Sequence, residues 1–194
     1  MSLPRRAIFL DRDGVLNQSV VREGKPYPPA TADEVVILPG VASALVKLKA
    51  AGYLLIVVSN QPDVARGTTP REVVEAINGR LGSELLLDEF RMCYHDTPDN
   101  CHCRKPKPGM LTDAANQHGL DLAACYMVGD RWRDVEAGQR AGCRTVFIDY
   151  GYDEKQPVGC DIRASSLAEA TEILLRNAPA EAGVTQPSSP KGQP

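Results

Sequence analysis

The chain has 194 residues, enough for one domain with a sizeable hydrophobic core and too few for a fusion of two enzymes. Lys and Arg number 22 against 25 Asp and Glu, a net charge of −3, and 24% charged with 43% hydrophobic residues is ordinary globular composition. Nucleic-acid-binding domains carry a basic excess that drives counterion release, so this balance argues against a polyanion-binding surface and leaves room only for a local basic pocket.

In chain order, the first apolar run is Ala7 to Leu10, too short for a signal peptide or a membrane anchor. No later run approaches the roughly 18 apolar residues of a spanning helix, so a cytoplasmic protein with no membrane partner is expected. Ala7–Leu10 reads as a buried strand ending on Asp11-Arg12-Asp13-Gly14. Two carboxylates so close raise each other's proton affinity, and the pair calls for a metal ion or a shared proton, although Asp-Gly is also a common surface turn. Gln18–Pro39, with Gly24, Pro26, Pro28 and Pro29, cannot be a regular helix and reads as a mobile flap after the first strand. Val41, Ala44, Leu45 and Leu48 repeat at helical spacing, with Gly52 as the stop.

A second strand, Tyr53–Val58, ends on Ser59-Asn60-Gln61, and Thr69-Pro70-Arg71-Glu72 reads as a capping box opening a helix toward Leu87. Cys93, His95, Cys101 and Cys103 follow in Cys-x-His and Cys-x-Cys form, separated by the turn-rich Asp96–Asn100. That spacing predicts a closed zinc site stapling a polar loop over 93–103. His102 could compete as a ligand, but it alternates away from Cys101 and Cys103 in an extended segment. Further strands are predicted at Cys125–Val128, followed by Gly129-Asp130-Arg131 and Asp134, and at Thr145–Ile148. Cys125 and Cys143 read as core, and Ser166-Leu167-Ala168-Glu169 repeats the capping device. The domain is thus expected to span 1–177, and 178–194 to be a disordered tail.

Strands alternating with helices predict an α/β domain with a Rossmann-like, doubly wound and mostly parallel sheet. In such sheets ligands bind at the carboxyl ends of the strands, where Asp11, Asp13, Ser59, Asn60, Asp130 and Asp134 all fall. Several carboxylates with hydroxyl and amide neighbours form an oxygen-rich set suited to magnesium.

Asp11-x-Asp13-Gly14, Ser59 ending a strand, Lys105 in Arg104-Lys105-Pro106, and Gly129-Asp130-x-x-x-Asp134 resemble the four motifs of haloacid dehalogenase-like phosphatases, over roughly residues 5–150. The zinc loop running into Arg104-Lys105 is similar to the subfamily of heptose-1,7-bisphosphate 7-phosphatases and histidinol-phosphate phosphatases. This resemblance implies Asp11 as nucleophile, Asp13 as acid and base, and Ser59 and Lys105 as phosphoryl-binding groups. It also implies Mg²⁺ held by Asp11, Asp13 and Asp130 with Asp134 orienting them, Zn²⁺ on Cys93, His95, Cys101 and Cys103, and Arg104 in substrate recognition. Asn60, Gln61, Arg131 and, from the flap, Arg22 and Lys25 are further candidate substrate ligands. Pro62, Arg131 and the flap depart from the usual heptose pattern. Neither the connection after Asn17 nor that after Asn60 has room for a large cap domain.

The implied activity is a phosphomonoesterase working through an aspartyl-phosphate. Its expected partner is a small phosphorylated metabolite, D-glycero-D-manno-heptose 1,7-bisphosphate losing its 7-phosphate, and the chain is expected to act as a monomer. Histidinol phosphate or another small sugar phosphate is the alternative substrate, and a catalytically silent zinc-stapled binding protein the alternative outside enzymes.

Overall fold

The structure, a computed structural model, describes residues 5–177, so the tail expected over 178–194 lies outside the described residues. In chain order the elements are β1 (Arg6–Leu10), the hairpin β2 (Val20–Arg22) and β3 (Lys25–Tyr27), α1 (Val41–Ala50), β4 (Tyr53–Asn60), α2 (Arg71–Glu84) and β5 (Glu89–Cys93). They continue with α3 (Gly109–His118), β6 (Tyr126–Gly129), α4 (Trp132–Ala141), β7 (Arg144–Ile148), β8 (Ile162–Ala164) and α5 (Leu167–Asn177). Six strands form one sheet in the order β5-β4-β1-β6-β7-β8, with every pair parallel.

β1 shows why the sheet is covered on both sides. Ile8 and Leu10 enter one core with α1, α2 and α5, whereas Ala7 and Phe9 enter the other with α3. Strand period two sends alternate side chains to opposite faces, and each fully buried large apolar side chain contributes roughly 1.5–3 kcal/mol. In α1 the buried residues are Val41, Ala44, Leu45 and Leu48, and Gly52 adopts φ 81° behind it, both as predicted. α4 closes on the second face because Gly138 has no side chain: a Cβ there would lie 2.8 Å from Met127 Cβ.

Strand order reverses at β1, which pairs with β4 on one side and β6 on the other. The crevice at that switch point is where a doubly wound sheet binds ligands. Asp11 and Asp130 flank it, joined at backbone level by the Asp11 N–H donating to the Val128 carbonyl at 2.9 Å.

The structure corrects several local expectations. The flap is a hairpin: Val20, Val21 and Arg22 pair with Tyr27, Pro26 and Lys25, and Glu23 and Gly24 take φ 49° and 72° at its tip. Two adjacent positive-φ residues are what a two-residue hairpin turn requires. No capping box forms at Thr69, because its N–H already donates to the Asp63 carbonyl and α2 starts after Pro70 without a side-chain cap. Near Ser166 the box is shared, since Ser166 Oγ accepts from Glu169 N–H while Glu169 reaches back to Ser165. Strands β5 and β8 were not anticipated. Among the described residues no helix is long and apolar enough to cross a membrane.

Candidate active site

The turn after β1 is built around Arg12, whose carbonyl accepts from the N–H groups of Leu16 and Asn17 at 2.9 and 3.3 Å. Gly14, at φ 86°, closes it where no other residue fits, because a Cβ would lie 1.9 Å from an Asp130 oxygen. This brings the Asp11, Asp130 and Asp134 carboxylates together, with ligand oxygens all within 4.8 Å of one another. Gly129 makes the matching concession on β6, since a Cβ there would strike the Asp134 carboxylate.

Lys105 is the only ammonium among this set. Its Nζ lies 3.0 Å from Asp11 Oδ1 and 2.6 Å from Asp134 Oδ1, and donates to the Val58 carbonyl at 2.7 Å. Burial alone would lower its proton affinity, but the two carboxylates outweigh burial and hold it above the ordinary lysine value. Burial likewise pushes Asp11 up to about 6 against the pull of Lys105. Burial, with Asp11 and Asp134 adding repulsion, holds Asp130 well above the carboxylate range.

These charges fit a divalent cation. Both Asp130 oxygens are buried without a hydrogen-bond donor of normal geometry, and a buried unpaired carboxylate is costly. Asp11 Oδ1 accepts from Arg12 N–H and faces Lys105, which leaves Oδ2 open. Asp134 is already used on both oxygens, by Lys105 and by Arg131 N–H at 3.0 Å. Asp13, expected among the metal ligands, is not in this cluster: its side chain accepts from Arg12, from Asn17 Nδ2 at 3.0 Å and from Gln61 Nε2 at 3.0 Å. That hydrogen-bond cage engages both Asp13 oxygens, while the side chain still lines the same cavity as the other three carboxylates.

Around these groups lies a cavity of about 330 Å³ lined by Asp11, Asp13, Ser59, Gln61, Lys25, Arg104, Lys105, Asp130, Arg131 and Asp134. Ser59 Oγ accepts from Gln61 Nε2, the same amide that bonds Asp13. Asn60 lines the cavity too, but its amide is spent on the Lys105 main chain, donating to the carbonyl at 2.9 Å and accepting from N–H at 3.0 Å. Arg22 falls outside the lining and lies over the Tyr27 ring. Arg131 reaches the cavity, yet its guanidinium grips Glu154 through both Nε and Nη2. Arg66 and Arg133 were missed from sequence. An arginine in a loop or a helix's first turn looks like any solvated charge until the fold aims it inward.

Beside this cavity, Cys93 ends β5 and meets Cys101 and Cys103 at 3.7 and 3.3 Å between sulfurs, with His95 Nδ1 3.4 Å from Cys103 Sγ. Three sulfurs and one ring nitrogen at such separations match the corners of a tetrahedral zinc site. His102 is turned out toward Asp113 at 2.8 Å and does not compete. Cys93 also ties the loop to the cavity, its carbonyl accepting from Gln61 N–H at 2.7 Å.

The sequence model of a family described as "HAD-hyrolase-like" matches residues 102–172. The D-glycero-beta-D-manno-heptose-1,7-bisphosphate 7-phosphatase of Bordetella bronchiseptica is 34% identical over 184 residues, covering 89% of this chain and 99% of that protein. The Pseudomonas aeruginosa protein of the same name is 36% identical over 156 residues, 77% of this chain and 84% of that protein. The crystal structure of the D,D-heptose 1,7-bisphosphate phosphatase of B. bronchiseptica, complexed with magnesium and phosphate, aligns with a TM-score of 0.75 at 33% identity over 90% of this chain and 99% of that one.

Proposed function

The chain belongs to the haloacid dehalogenase-like phosphatases, and from that premise we propose that it removes the 7-phosphate of D-glycero-D-manno-heptose 1,7-bisphosphate through a phosphoaspartate on Asp11. The observation that carries this reading is the open Oδ2 of Asp11, set in one cavity with Lys105 and with a buried Asp130 carboxylate that has no hydrogen-bond donor of normal geometry.

Asp11 Oδ2 attacks phosphorus, forming an oxygen–phosphorus bond as the bond to the sugar oxygen breaks. Asp13 gives its proton to that leaving oxygen and later takes one from the water that cleaves the phosphoaspartate. The amides of Asn17 and Gln61 hold the Asp13 carboxyl in a single orientation for both transfers. Lys105 and Ser59 Oγ receive the phosphoryl oxygens, and Asn60 fixes the Lys105 main chain so that its ammonium need not be ordered during the reaction. Magnesium, held by Asp130 and Asp11 with Asp134 alongside, would supply positive charge against the incoming phosphate. Zinc on Cys93, His95, Cys101 and Cys103 would anchor the loop that delivers Arg104 and Lys105.

Following the reaction on heptose 1,7-bisphosphate by phosphorus NMR tests this reading. Magnesium-dependent loss of the 7-phosphate with the 1-phosphate retained is expected, and Asp11→Asn lowers kcat by at least about 10³-fold while keeping the wild-type circular dichroism. Loss of the 1-phosphate first, or an active Asp11→Asn variant, contradicts it.

A further inference from the structure

The bulkiest of the fully buried side chains is a cation that takes no part in the transfers above. Arg12, between the two aspartates of the turn after β1, is 0% exposed. Its Nη2 and Nε donate to Asp13 Oδ2 at 3.0 and 3.2 Å, Nε also lies 3.3 Å from Oδ1, and Nη1 donates to Oδ1 of Asn78 on α2 at 3.0 Å. Among the described residues Asp13 is its only ion-pair partner. Arg12 does not line the cavity, whereas Asp13 does. The guanidinium therefore stands behind the Asp13 carboxylate, out of reach of a substrate, with Asn78 bracing it in turn.

Stability alone is a weak reason for this arrangement, because the cost of taking both charges out of water offsets most of their attraction. Geometry supplies a stronger one. A guanidinium is planar and donates in a fixed fork, so contact through both Nε and Nη2 sets the plane of the carboxylate as a single amide cannot. The Gln61 amide that also bonds Asp13 is shared with Ser59 Oγ and lies in the cavity wall, where an arriving phosphoryl group changes its surroundings. Arg12 is insulated from that change by its burial. We propose that Arg12, braced by Asn78, is the positioning residue of the acid and base, aiming the Asp13 carboxyl so that its proton passes to the leaving sugar oxygen as the phosphorus–oxygen bond breaks. This rests on the role given to Asp13 above.

The test compares kcat/KM on heptose 1,7-bisphosphate, phenyl phosphate and p-nitrophenyl phosphate, whose leaving oxygens need a proton in descending order. The proteins are wild type, Asp13→Asn, Arg12→Met, Arg12→Lys, Asn78→Ala and the Asp13→Asn, Arg12→Met double variant. This ratio covers steps only up to loss of the leaving group, so slow hydrolysis of the phosphoaspartate does not enter it. Arg12→Met is expected to lose about 10–100-fold on the heptose compound, less on phenyl phosphate and under about threefold on p-nitrophenyl phosphate, a gradient that a merely structural role does not produce. Arg12→Lys, which keeps the charge without the fork, should recover part of the loss, and Asn78→Ala should show the same gradient more weakly. In the double variant the further loss on the heptose compound should be under about threefold, because the group that Arg12 aims is gone. Equal losses on all three substrates, no loss, or a full further loss in the double variant overturn the inference while leaving the role of Asp13 intact. An Asp13→Asn variant with the same loss on all three overturns that role and the inference with it. If the heptose compound is not a substrate, the two aryl phosphates carry the same comparison. If the Arg12 variants do not fold, Asn78→Ala decides, a graded loss supporting the inference and a flat or absent one overturning it.

Discussion

At the scale of single residues, the site is built from charges that the folded chain does not balance by itself. Asp11 is held at about 6 by burial, against 3.8 for a free side chain, and Asp130 is also raised by burial and by the neighbouring Asp11 and Asp134 charges. Between those values the folded protein binds more protons than the unfolded one, so without metal its stability falls as pH rises through that window. Magnesium competes with these protons. The gain in melting temperature from saturating magnesium should therefore be larger at about pH 8 than near pH 5, and Asp130→Asn should remove most of that difference. An equal gain at both pH values would show that these carboxylates do not hold the ion. Asn60 acts through a different residue, since both ends of its amide lie on the Lys105 backbone. Asn60→Ala is expected to cost roughly 10–100-fold in kcat/KM with bound metal unchanged, as a displaced catalytic group does. A variant of wild-type activity would mean that Lys105 is positioned without it.

At the scale of elements, the loop carrying Cys93, His95, Cys101 and Cys103 is held by side chains because it is too polar to pack, and under the proposed reading zinc would staple it. Arg66 and Arg104 both reach Asp96 inside it, and Lys107 bonds the carbonyls of Asn100 and Cys101. About one zinc per chain is expected by elemental analysis, as for a closed four-ligand site. Stripping it should increase proteolysis between Tyr94 and Arg104 and reduce turnover, while hydrogen exchange in β1, β4 and β6 stays slow. Unchanged turnover in zinc-free protein would separate the loop from the active site. The elements legible in the sequence were those with dense apolar signals: β1, β4, β6 and β7 were placed within two residues at either end. β5 was not, because Glu89 and Arg91 interrupt it and it pairs on one side only, as an edge strand. The hairpin was hidden by Pro26, and by strands only three residues long.

For the whole molecule, strand order is what turns scattered motifs into one site. Asp11 and Asp130 lie far apart in sequence and meet because β1 and β6 are neighbours where the strand order reverses. The acids and Lys105 were legible because chemistry restricts them to few residue types. The arginines were not, since which of Arg22, Arg131 and Arg133 faces the cavity without a partner depends on Tyr27, Glu154 and Trp132, none of them a sequence neighbour that marks the choice except Trp132. Among the described residues the β2–β3 hairpin and the Cys93–Cys103 loop contribute Lys25, Tyr27 and Thr97 to the cavity wall, so selectivity falls to side chains around that cavity. The most direct measurement is magnesium-dependent phosphate release from heptose 1,7-bisphosphate and histidinol phosphate in parallel, compared as kcat/KM. The account predicts a preference of at least about 100-fold for the heptose compound, the discrimination expected when a second phosphate meets a matching cation. Equal rates, or a preference for histidinol phosphate, would contradict it.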